Sequence, residues 1–191
     1  MTIKKNKIVI FTDLDGSILH RDTFKFDQIK DYIKKLINSG VHIIPNSSKT
    51  ESEIIEFNQD LGENLAYISE NGSVINNLNL LNSNFPNKII LSREKEELVE
   101  IFKNNVPENL QSKCKFILNL NKKVQIDIFG LSETKLKNAL NRKYTEPFLF
   151  EGSKNEKKDL TKILRGNSLT IQEGAVSYTH LTPADDSLRV D

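Results

Sequence analysis

The chain has 191 residues, 37% hydrophobic and 28% charged, the balance of a soluble globular protein with one domain or a small core plus a cap. Lys and Arg number 27 against 26 Asp and Glu, so a net charge of +1 excludes a global field that would hold nucleic acid or an anionic membrane. The single cysteine, Cys114, excludes an intrachain disulfide and suits a reducing cytoplasm; the apolar run after residues 1–7 is too short for a secretory signal, and no stretch reaches membrane-spanning length.

Residues 8–11, Ile-Val-Ile-Phe, read as a strand buried on both faces, as in a parallel sheet. Asp27 can cap a helix whose apolar positions are Ile29, Tyr32, Ile33, Leu36 and Ile37, and Gly40 ends it. Residues 41–44 read as a second buried strand. Thr50 and Glu53 fit a capping box ahead of Ile54, Ile55, Phe57 and Leu61. Residues 65–68 read as a third strand, and Glu70-Asn71-Gly72 turns the chain into Val74-Ile75. This alternation predicts a parallel sheet with right-handed crossovers, whose ligands sit beyond the carboxyl ends of the strands. Asp13, Ser47 and Glu70 all fall at those ends.

A different pattern follows. Residues 76–87 read as a connection, and Ser92 can cap a helix through Phe102. Residues 114–118 and 124–129 read as strands, with Asn121-Lys122-Lys123 placed to turn a hairpin. Ser132 can cap a helix carrying Leu136, Ala139 and Leu140. Residues 148–150, 155–164 and 169–171 read as strand, helix and strand. This α+β arrangement predicts a cap domain.

Asp13-Leu14-Asp15-Gly16 carries the chemistry. Two carboxylates one residue apart can enter one site where a strand turns into a loop, and Gly16 frees the backbone for that turn. One can attack phosphorus; the other can protonate the leaving oxygen and then activate water. A phosphate beside two carboxylates needs a cation, and Mg²⁺ suits oxygen ligands. The plain alternative is a solvated Asp-Gly turn. A calcium loop fails, because Gly16 comes too early and Phe24 holds the twelfth position, where a Glu is required. Ser47-Ser48-Lys49-Thr50, at a helix start, offers a hydroxyl, a lysine and N–H groups to an anion; its alternative is an ordinary N-cap. Glu70-Asn71-Gly72 has the alternative of a tight turn. Arg142 could clamp a carboxylate or phosphate and Glu146 could accept sugar hydroxyls; the alternative is a charged helix end.

Phe11-Thr12-Asp13-Leu14-Asp15-Gly16-Ser17 resembles the first motif of the haloacid-dehalogenase-like phosphatases, and Ser47 matches the second. Pro45-Asn46-Ser47-Ser48-Lys49-Thr50, Ser69-Glu70-Asn71-Gly72 and Arg142-Lys143-Tyr144-Thr145-Glu146-Pro147 resemble the mannosyl-3-phosphoglycerate phosphatase family with its glucosyl-3-phosphoglycerate relatives. The resemblance implies an α/β fold with a parallel Rossmann-like core, here incomplete, and an inserted α+β cap. It implies Asp13 as nucleophile and Asp15 as general acid and base. Mg²⁺ would be held by Asp13 and the backbone carbonyl of Asp15, and the phosphoryl group by Ser47, Ser48 and Lys49. Glu70, Asn71, Gly72, Arg142 and Glu146 would contact substrate. The implied reaction is hydrolysis of mannosyl- or glucosyl-3-phosphoglycerate to a compatible solute. Another sugar phosphate and a non-catalytic phosphosugar-binding protein are the alternatives.

Two family parts are missing: a third-motif lysine and a fourth-motif Gly-Asp strand end. No lysine follows Arg165, and the late Asp185-Asp186 pair has no buried strand before it. Residues 175–191 resemble translated adapter sequence. The expected organisation is therefore a half-core over 1–84, a cap over 85–174 and a non-native or disordered tail over 175–191. The chain as it stands is expected to be an inactive fragment. Its partner is a small phosphorylated sugar, with neither nucleic acid nor membrane, and its location is cytoplasmic.

Overall fold

The apolar run at residues 8–11 forms a strand, but not one buried on both faces as its sequence predicts: Val9, Ile10 and Phe11 are 45%, 38% and 62% exposed. In the computed structural model, which describes residues 8–21, 23–173 and 179–183, β1 (Val9–Thr12) lies parallel to β2 (His42–Pro45), Val9 opposite His42 and Thr12 opposite Pro45. Between them runs α1 (Asp27–Asn38), whose Ile29, Ile33, Leu36 and Ile37 recur every three or four residues and so share one face. Gly40, at φ +92°, ends it: its N–H donates to the Ile37 carbonyl, and that of Val41 to the Leu36 carbonyl.

The capping box forms as read. The Glu53 N–H donates to the Thr50 hydroxyl, the Thr50 N–H to the Glu53 carboxylate, and α2 (Glu51–Leu61) follows. Gly62, left-handed at φ +77°, closes it. β3 (Tyr67–Ser69) then comes alongside β2 through a parallel bridge between Asn46 and Ile68. The core of this unit lies between helices and strands: Leu14, Ile33, Ile43, Ile54, Phe57, Leu61 and Tyr67 are buried together. β3 also pairs antiparallel with β4 (Val74–Asn76), and β4 with β5 (Lys88–Ile90). The expected connection over 76–87 holds a 3₁₀ turn at Leu78–Leu80.

The chain divides between Leu91 and Ser92 into two compact units. β5 therefore belongs to the first unit, although a boundary after residue 84 assigns it to the second; its pairing with β4 is the reason. The second unit contains α3 (Lys95–Asn105), α4 (Glu108–Gln111), β6 (Cys114–Phe116), α5 (Lys122–Phe129), α6 (Glu133–Leu140), β7 (Glu146–Phe150), α7 (Lys154–Gly166), β8 (Leu169–Glu173) and β9 (Thr179–Pro183). Its antiparallel sheet has the order β6-β7-β9-β8. Leu98, Phe102, Phe148, Leu160, Leu164, Leu169 and Leu181 pack together in its core.

Two expectations are corrected here. Residues 124–129 are helix, not strand, so the hairpin around Asn121-Lys122-Lys123 does not form. The Asn121 side chain instead accepts from the Val124 N–H as an N-cap, and Gly130 ends the helix in the left-handed region. Thr179–Pro183, within the stretch expected to be non-native or disordered, forms β9, paired with β7 on one side and β8 on the other. Leu181 is fully buried there, because an apolar side chain between two strands completes the core. The rest of 175–191 lies outside the described residues.

Candidate active site

At the end of β1 the chain turns sharply through Asp13-Leu14-Asp15-Gly16. The Leu14 carbonyl accepts from the N–H groups of Ser17, Ile18 and Leu19, and Gly16, at φ +76°, donates to the Leu19 carbonyl at 2.8 Å. Leu14 is fully buried in the core of this unit. Asp13 is exposed, and its Oδ1 accepts from the Leu14 N–H at 2.7 Å. Asp15 is only half-buried, and Lys49 Nζ lies 3.0 Å from its Oδ1.

The ends of β1, β2 and β3 are stitched into one rim. The Asn46 N–H donates to the Thr12 carbonyl at 2.8 Å, and the Ser47 N–H to the Ile68 carbonyl at 3.1 Å. The N–H of Glu70 reaches the Lys49 carbonyl at 2.9 Å, and that of Asn71 the Ser47 carbonyl at 3.2 Å. Asp13, Asp15, Ser47, Ser48, Lys49, Glu70, Asn71 and Gly72 are thus gathered at one edge of the parallel strands. Glu70, Asn71 and Gly72 all have positive φ, at 48°, 60° and 91°. Such conformations are costly for Glu and Asn, and the bonds to Lys49 and Ser47 hold them there. Ser47 and Glu70 are buried. The Asn71 Nδ2 is a buried donor with no acceptor among the described residues.

The helix N-terminus contributes less than its position suggests. Thr50 and Glu53 already take two of its N–H groups. Lys49 itself lies between two carboxylates, with Glu53 Oε1 at 3.5 Å, and 5.1 Å from the centroid of the Phe24 ring. Phe24 sits in the left-handed region at φ +55°. The Lys49–Glu53 spacing of four residues was visible in the sequence; the Lys49–Asp15 pair was not.

Burial holds the Asp15 carboxyl above its ordinary value. The Lys49 ammonium opposes this, and the charges of Glu53 and Asp13 add to it. Lys49→Met is accordingly expected to raise the Asp15 pKa further and to cost about 1–2 kcal/mol, the scale for one partner of a partly buried pair. Carboxyl-carbon NMR titration and urea unfolding check both, and an unmoved Asp15 resonance would show that the ammonium is not its partner. Cys114 is no rival nucleophile, since burial pushes its thiol up to about 12.

Arg142 and Glu146 form a separate buried cluster within the second unit. The Arg142 Nη1 donates to Thr145 Oγ1 at 2.8 Å, and Arg142 and Glu146 are 5% and 4% exposed. Burial pushes the Glu146 carboxyl up to about 7, against Lys95 and Arg142. Thr145, quoted with this motif but given no role from the sequence, and His180, which sequence reasoning missed, are fully buried here; His180 is held well below its ordinary value by burial and by Arg142.

A family model described as haloacid dehalogenase-like hydrolase matches residues 10–182. The glucosyl-3-phosphoglycerate/mannosyl-3-phosphoglycerate phosphatase of Persephonella marina is 25% identical over 190 residues, which cover 95% of this chain and 69% of that protein. The enzyme of the same name from Methanococcoides burtonii is 35% identical over 69 residues, 36% of this chain and 25% of its own length. Among solved structures, a haloacid dehalogenase-like hydrolase from B. subtilis superimposes with a TM-score of 0.63 at 11% identity, covering 92% of this chain and 73% of that one. One from Bacteroides thetaiotaomicron gives 0.60 at 14%, covering 93% and 71%. At these identities the structural likeness concerns the fold.

Proposed function

Since this chain belongs to the haloacid dehalogenase-like hydrolases, we propose that its rim of strand ends is the nucleophile-bearing half of a Mg²⁺-dependent phosphomonoesterase. The observation that carries this reading is the contrast between two carboxylates on one turn. Asp13 is exposed and open to attack a phosphorus atom; Asp15 is half-buried beside Lys49, and burial holds its carboxyl above the ordinary value.

An Asp13 oxygen attacks phosphorus, the bond from phosphorus to the substrate oxygen breaks, and Asp15 gives its proton to the departing alkoxide. Asp15, now ionised, takes a proton from water as the water oxygen attacks the same phosphorus. The bond from phosphorus to Asp13 then breaks, restoring the carboxylate and releasing inorganic phosphate. Ser47, Ser48 and Lys49 hold the phosphoryl oxygens, and the buried Asn71 amide offers a further donor. The donor set at the turn fits Mg²⁺: the Asp13 carboxylate and the Asp15 carbonyl are hard oxygens, and this ion keeps several waters beside one or two carboxylates. When bound it would offset charge on the phosphoryl group.

The name of the Persephonella marina relative supports glucosyl- or mannosyl-3-phosphoglycerate as substrate. Arg142 would take the glycerate carboxylate and Glu146 the sugar hydroxyls. By itself the chain is expected to turn over little or nothing, because it lacks the lysine and the second Mg²⁺ carboxylate that the family supplies from later motifs. Chemistry is therefore tested in a chimera that joins this chain to the part of the Persephonella marina protein it does not match. There, Arg142→Ala should raise KM for glucosyl-3-phosphoglycerate by roughly tenfold or more, the worth of one charge-assisted contact, and leave KM for a small aryl phosphate near its starting value. Equal changes with both substrates would reject a recognition role for Arg142.

A further inference from the structure

Two phenylalanines stand two residues apart between the Asp13–Gly16 turn and α1, and their surroundings differ. Phe26 packs against the core cluster of the first unit, its ring centroid 5.1 Å from that of Phe57. Phe24 does not belong to that cluster. Its backbone lies in the left-handed region at φ +55°, a conformation that a bulky residue adopts only at a cost and that glycine takes freely. The Phe24 N–H donates to the His20 carbonyl at 2.8 Å, and the His20 N–H to the Lys25 carbonyl at 2.9 Å, which holds the turn in place. Strain of this kind persists where the surroundings enforce it, and it raises the question of what the side chain does. The ring centroid lies 5.1 Å from Lys49 Nζ, within reach of a cation–π contact. The Lys49 side chain is only 12% exposed, and such contacts strengthen as water is excluded.

We propose that Phe24 is a positioning residue of the phosphoryl site, its ring holding the Lys49 ammonium beside Asp15 and Glu53 where a phosphoryl group meets it. The inference rests on the reading of Lys49 as a phosphoryl ligand. The ring does what a further carboxylate could not. Asp15, 3.0 Å from Nζ, and Glu53, 3.5 Å from it, fix the ammonium but also offset its charge. An aromatic face attracts the ammonium through its quadrupole and carries no net charge, so it constrains the lysine and leaves the positive charge for an anion. A lysine side chain ordered in advance loses less conformational freedom when the anion binds. A packing role would set Phe24 in the core cluster with Phe26, and a purely backbone role would favour glycine at φ +55°.

The test uses residues 1–191 with isotope-labelled lysine, inorganic phosphate as the probe and NMR as the readout. In wild type the ε-methylene protons of Lys49 should carry a ring-current shift from Phe24, and phosphate should move them further. Phe24→Leu keeps an apolar side chain and removes the aromatic face. It should abolish the ring-current shift and weaken phosphate binding by roughly three- to tenfold, the scale of one partly desolvated cation–π contact, while the amide shifts of α1 and α2 stay as they were. Phe24→Trp, which keeps a face, should hold the affinity within about twofold of wild type. Phe24→Leu with undiminished phosphate affinity, or Phe24→Trp as weak as Phe24→Leu, would overturn the proposal while leaving Lys49 a phosphoryl ligand. Phosphate that leaves the Lys49 resonances of wild type unmoved would instead refute the reading of Lys49, and the proposal with it.

Discussion

Asp13→Asn in the chimera is expected to lower phosphate release by on the order of 10⁴-fold, the scale reached when a covalent nucleophile is removed. The amide is almost isosteric with the carboxylate, so the turn survives: the amide oxygen can still accept from the Leu14 N–H, as Asp13 Oδ1 does at 2.7 Å. Leu14 stays buried on the far side of the loop. What disappears is the anionic oxygen that forms the bond to phosphorus. A structural role would predict the reverse, a loss of stability with chemistry retained in the surviving fold. Circular dichroism and a urea midpoint beside the assay separate the two. Near-normal phosphate release from a well-folded Asp13→Asn chimera would rule out this nucleophile.

The second large effect concerns stability and pH. Glu146 is 4% exposed, and burial pushes its carboxyl up to about 7. An unfolded chain releases that proton near the ordinary value of 4.5. Between the two the folded unit binds the extra proton, so stability from this group is fully present below about 4.5 and is lost as pH rises through about 7. The difference is on the order of 3 kcal/mol, at about 1.4 kcal/mol per pKa unit. His180 acts with the opposite sign, because its folded pKa is held low and its contribution fades as pH falls. The wild-type curve therefore mixes two slopes. Glu146→Gln, uncharged throughout, isolates one: its stability relative to wild type should rise by about 3 kcal/mol between pH 4 and pH 8, as wild type loses what the proton supplied. Urea unfolding of the second unit followed by tyrosine fluorescence reads this directly. A difference that stayed constant with pH would mean that Glu146 is charged in the folded unit.

Much of the first unit was legible because local and long-range signals agreed there. The apolar runs at 8–11 and 41–44 formed strands, and the box at Thr50 and Glu53 and the end at Gly40 formed where the residues pointed. The gathering of Asp13, Ser47 and Glu70 at one edge followed from parallel topology alone. α5 misled because Val124-Gln125-Ile126-Asp127-Ile128 alternates apolar and polar residues as a half-buried strand does. The structure instead buries Gln125 and Phe129, four residues apart, and the Gln125 amide donates to the Ile117 carbonyl at 2.9 Å. β9 was illegible for another reason: Thr-His-Leu-Thr-Pro becomes a strand only between the partners that β7 and β8 provide. The Lys49–Asp15 pair depends on how the β1 turn meets the start of α2, and no local pattern encodes that distance.

Transfer of the phosphoryl group to Asp13 is tested by trapping it on that carboxylate. The chimera is mixed with Mg²⁺ and glucosyl-3-phosphoglycerate labelled at phosphorus, quenched in acid within one turnover and mapped by peptide mass spectrometry. Label is expected on the peptide that carries Asp13, released by hydroxylamine as an acyl phosphate should be, and absent from Asp13→Asn. Label on Ser47, or turnover that leaves no label on the protein and persists in Asp13→Asn, would contradict it.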